Sequence, residues 1–188
     1  MTLRIYLLIA SLFVVNNTLA QKQIRNANWG MSKTSVKASE TLTLFAEEPT
    51  KLSYSGVLGG KEFDIVYKFI DNKLTSVYYV YAQQHSNKKS YVDAYYEVKR
   101  ILTTKYDYAI VDKIDWTNEL FKDRESDWGL ACALGHVSFY SGWANEDARI
   151  SLLLHGENNN ASLIIMYNSI RYADLIDEQK SQQNMKDF

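Results

Sequence analysis
The alternation of apolar and polar positions sets out most of the chain. Phe63, Ile65, Tyr67 and Phe69 alternate with Glu62, Asp64, Val66 and Lys68, the period of two of a strand with one apolar face. Similar runs predict strands at 52–58 and 74–82 on either side of it. Asp71-Asn72-Lys73 supplies turn chemistry between the second and third strands, which predicts an antiparallel hairpin. The pattern then changes to helical spacing. Tyr91, Ala94, Tyr95, Val98, Ile101, Leu102 and Tyr106 fall on one stripe, with Lys89, Asp93, Glu97 and Arg100 largely off it, predicting a helix over 88–106. Further strands are expected at 109–116, 130–134, 137–143, 149–156 and 162–168, with turns at 144–147 and 157–160. A short helix should begin after Ser32, whose hydroxyl can accept from the unpaired amides of the first turn. A polar helix is expected in the tail, over 171–183.

The order of elements divides the chain into 21–86 and 87–170, each a helix followed by antiparallel strands that end in a tyrosine-bearing hairpin. Segments 63–81 and 150–167 run parallel in this respect. The fold class expected is therefore α+β, two helix-plus-antiparallel-sheet modules in tandem, each sheet covered on one face by a helix, with 171–188 as a tail. Ahead of the modules, residues 1–20 have the form of a secretory signal: Arg4, an apolar run over 5–15, then Thr18 and Ala20 at the −3 and −1 positions. These eleven residues, interrupted only by Ser11, make about 16 Å of helix, too short for a ~30 Å bilayer core. The expected address is thus periplasmic or secreted, cleaved after Ala20, with no membrane span and no cysteine placed for a lipid anchor.

Trp29-Gly30-Met31-Ser32 followed by Val36, with Tyr54, Tyr67-Lys68-Phe69 and Lys73-Leu74, resembles the small outer-membrane-assembly lipoproteins of the SmpA/OmlA type. The β-lactamase-inhibitor-protein family carries such a module in tandem, which the resemblance would extend to the two halves here. Exported bacterial proteins with Trp-Gly-Met-Ser near the mature N-terminus are similar too, and bring no activity with them. The resemblance covers about 29–81 and implies a fold more than a partner. Three features depart from the lipoproteins: the lipid-attachment cysteine and the Leu-Gly-x-Pro after the helix are missing, and 87–170 has no counterpart in them.

Charge and composition narrow the functional classes. A net charge of −1 over 188 residues lacks the basic excess of a nucleic-acid binder. One cysteine allows no internal disulfide, and His85, His136 and His155 show no metal-ligand spacing. No GxSxG, Walker or GxGxxG motif is present, so no cofactor, no metal and no catalytic residue is expected. Cys132 and His136 would share a face of a strand, as a nucleophile and base require, but Gly135 interrupts it and a lone cysteine is usually core.

Two surfaces remain. The segment 112–129 sets Trp116, Phe121 and Trp128 among six acids, a composition suited to protein contact. The structural alternative is a loop folded back over a sheet edge. On the strands that follow, His136, Ser138 and Tyr140 would share a polar face with Arg149, Ser151 and His155. The reading expected is a non-catalytic protein-binding module, with Trp116, Phe121, Trp128 and Tyr140 as anchors. One alternative is a small-ligand carrier with a pocket between helix 88–106 and the second sheet. Another is a hydrolase drawing on His136, His155, Arg149 and Cys132.

Overall fold
The structure is a computed structural model, and it describes residues 24–186. The signal segment expected at 1–20 lies outside the described residues. Four helices and eight strands follow in the order α1 (Lys33–Ser39), β1 (Thr43–Glu48), β2 (Lys51–Leu58), β3 (Lys61–Ile70), β4 (Lys73–Tyr81), α2 (Lys89–Tyr106), β5 (Val111–Trp116), α3 (Trp128–Ala133), β6 (Val137–Ala144), β7 (Ala148–Glu157), β8 (Asn160–Ser169) and α4 (Ala173–Lys186). The mixed α and β composition is as expected. All eight strands form one antiparallel sheet, ordered β1-β2-β3-β4-β8-β7-β6-β5. The two sets of strands join where β4 pairs with β8, Tyr79 opposite Ile165 and Val77 opposite Tyr167.

Local chemistry explains most of these elements. Asp71-Asn72 and Asn158-Asn159 occupy the left-handed region that two-residue hairpin turns require, closing β3–β4 and β7–β8. Ser32 caps α1, its Oγ accepting from the Ser35 amide at 3.1 Å, and Val36 is buried beneath. Gly30 has φ +82°, and a Cβ there would lie 2.3 Å from the Tyr172 hydroxyl. That conformation turns the chain so that Gly30 N–H donates to the Leu74 carbonyl and Leu74 N–H to the Met31 carbonyl, tying 29–31 to β4.

One sheet face is covered. Phe63, Ile65, Tyr67, Tyr79, Ile165, Leu152, Leu154 and Phe139 are buried there under α1, α2 and α3. Across the opposite face α4 passes beside Tyr140, Arg149 and Ser151 on one side and Lys51 and Lys68 on the other. Ile176 is its buried contact. No helix among the described residues is long and apolar enough to cross a membrane.

Two local expectations are corrected. The strand expected at 130–134 is the helix α3: six residues, Trp-Gly-Leu-Ala-Cys-Ala, too short for their apolar run to reveal its period. Helical geometry puts Cys132 in the core, so the shared strand face with His136 does not exist. The first strand begins before 52, because 43–48 forms the edge strand β1, whose alternation is blunted by solvent on both sides.

Candidate ligand-binding site
Helix α2 buries Tyr91, Ala94, Tyr95, Val98 and Leu102, as its stripe predicts. Ile101 belongs to the same stripe but stays 42% exposed. The uncovered residue marks a recess of about 400 Å³ between α2 and the sheet. Val98, Leu102 and Tyr106 form its helical wall, while Phe63, Tyr79, Ile165 and Tyr167 rise from β3, β4 and β8. Ile24, Arg25 and Trp29 close the side toward α1. Lys105, Asn145 and Asp147 stand at the polar margin.

The polar groups around this recess are unequally committed. Arg25 is held by Glu40, Nε donating to Oε2 at 3.2 Å, and the Tyr67 hydroxyl donates to the same oxygen at 2.5 Å. Burial alone would raise the Glu40 carboxyl, but Tyr67, Arg25 and the Thr41 amide outweigh it and hold Glu40 below its ordinary range. The Tyr106 hydroxyl donates to Tyr167 at 3.4 Å. Tyr79, only 5% exposed, makes no hydrogen bond among the described residues. Burial holds the Tyr79 and Tyr167 phenols far above their ordinary range, so both stay protonated.

The residues singled out from sequence are dispersed. Trp116 and Trp128 meet edge to face at 5.9 Å, and Trp128 Nε1 donates to the Lys122 carbonyl at 3.0 Å. Phe121 stacks on His136 at 5.7 Å. All three aromatics are half-buried against the core, in keeping with a loop folded back over the sheet. Tyr140 lies on the opposite sheet face and shares a hydrogen bond of 3.1 Å with Ser151, with Arg149 alongside under α4. His155 faces Ser162 across β7–β8, and His85 accompanies Tyr81 at 2.9 Å. Cys132 is fully buried, and burial pushes its thiol up to about 12, which suppresses the thiolate that nucleophilic chemistry needs. Among the described residues no three His, Cys, Asp or Glu side chains converge as metal ligands would.

Sequence reasoning placed a pocket beside helix 88–106 without naming Tyr79 or Tyr167 as its lining. The exposed member of an otherwise buried stripe, Ile101, becomes a signal only once the helix is docked. Comparison with protein-family models, curated proteins and solved structures returns no match.

Proposed function
We propose that this chain is an exported, non-catalytic carrier that holds a small, largely apolar molecule in the recess between α2 and the sheet. The observation that carries the reading is the recess itself: about 400 Å³ walled by aromatic and aliphatic side chains, with few polar groups. Such a volume and lining fall in the usual range of small-molecule sites. Export rests on the signal-like residues 1–20. We further read the sheet as two modules meeting at β4–β8. Its order, β1-β2-β3-β4 against β8-β7-β6-β5, supports this, as do the matching cross-strand pairs Phe63–Tyr81 and Ile150–Tyr167. The resemblance of 29–81 to the lipoprotein module agrees with that division.

The carrier reading is tested by titrating the purified chain with the neutral fluorophore N-phenyl-1-naphthylamine. Saturable binding is expected, lost in Val98→Trp, which fills the recess, and kept in Trp116→Ala. Absence of saturation, or indifference to Val98→Trp, refutes the carrier. Binding of a partner protein is the second reading. It is favoured by the exposed Tyr108, Ile110 and Leu120 on either side of β5, next to Trp116. A partner crosslinked in the envelope and lost on Trp116→Ala or Trp128→Ala, with the fold intact, would establish it.

A further inference from the structure
The apolar walls of the recess end on three tyrosines drawn from distant parts of the chain. Tyr79 and Tyr167 meet edge to face across the β4–β8 seam, ring centroids 5.7 Å apart. Tyr106 reaches Tyr167 from α2, at 6.3 Å between centroids. In this group Tyr106 donates to Tyr167, which leaves the Tyr167 proton free, and the Tyr79 hydroxyl has no partner among the described residues. Both residues line the recess, and two such unused donors on neighbouring rings suit an oxygen with two lone pairs.

The charges around them exclude an ionic answer. Arg25, the cation on the inner side, is already bound to Glu40. Lys105 stands at the margin together with a carboxylate of opposite charge, Asp147. The recess also lies at the C-terminal end of α2, where the helix dipole disfavours an anion. Hydrogen-bond donation without net positive charge suits a neutral acceptor.

We infer that the molecule held here is an apolar compound bearing a neutral carbonyl, whose oxygen accepts from the Tyr79 and Tyr167 hydroxyls. The inference rests on the carrier reading and adds the chemical class of the ligand. No bond is made or broken in this binding step.

Three probes with one ring system separate the possibilities: naphthalene, 2-acetylnaphthalene and 2-naphthoate, each measured by displacement of N-phenyl-1-naphthylamine from the purified chain. The ketone should bind about tenfold more tightly than the hydrocarbon, the increment of one good hydrogen bond. Tyr79→Phe should erase that preference, bringing the ketone down to the affinity of the hydrocarbon, while Tyr167→Phe reduces it. An unfolding transition in urea like that of the unaltered chain shows that the variant is folded. Equal binding of ketone and hydrocarbon, or a preference that survives Tyr79→Phe, overturns the carbonyl assignment and leaves the carrier standing; the hydroxyls then serve water or the protein alone. Tightest binding of 2-naphthoate, abolished by Lys105→Met, overturns it in favour of an anionic ligand. If none of the three displaces the fluorophore and the fluorophore itself fails to bind, the carrier reading falls first and the inference with it.

Discussion

The recess beside α2 and the segment 112–129 are both rich in aromatic side chains, yet they use them in opposite ways. In the segment every ring has an internal occupation. Trp116 packs on Trp128, Trp128 packs on Phe139 and donates to a backbone carbonyl, and Phe121 covers His136. In the recess the tyrosines bury their rings but leave hydroxyls over, and an apolar helix residue stays uncovered. Aromatic density therefore does not mark a site. What distinguishes the recess is the volume of about 400 Å³ that its rings leave open, where those of the segment close on one another.

The contrast can be broken most severely at Gly129. A Cβ there would sit 2.3 Å from the Lys88 carbonyl carbon and 2.4 Å from the Lys88 oxygen and Lys89 nitrogen, all backbone at the start of α2. Gly129→Ala should cost about 3 kcal/mol, read by urea denaturation, since neither helix can yield locally. Such a result would mean that the segment serves the fold by seating α2. Trp128→Ala comes next. Full truncation of a buried Trp costs about 3–5 kcal/mol, and this half-buried ring should lose about 2, with fluorophore affinity in the recess unchanged. A parallel loss of affinity would instead tie the two regions together.

A smaller effect is expected at Glu40, whose side chain is 1% exposed. Its folded-state pKa lies below the unfolded value, so its stabilising contribution is present above about pH 4.3 and is lost as pH falls through the folded value. Glu40→Gln should flatten the acid limb of thermal stability against pH. It should also release Arg25 and raise the affinity for 2-naphthoate several-fold, turning a neutral recess into one that accepts anions. The smallest effect belongs to Leu120, 66% exposed within the segment. Leu120→Ser should change stability by less than about 0.5 kcal/mol and leave the recess untouched.

Short-range order is what the sequence by itself determined. The alternation from Glu62 to Phe69, the Asp71-Asn72 turn, the cap at Ser32 and most of the stripe on 88–106 each depend on residues within a few positions of one another. Backbone geometry translates such spacings directly into a strand, a turn or a helix face. The weak alternation of 43–48 and the six residues of α3 carried too little pattern to read. The pairing of β4 with β8, and with it the meeting of Tyr79, Tyr106 and Tyr167, was decided only by the tertiary structure. No local rule brings together side chains so far apart in sequence. They meet because each hairpin buries its apolar face and satisfies its edge against the other, and the hydroxyls left over at that seam are a property of the assembled sheet.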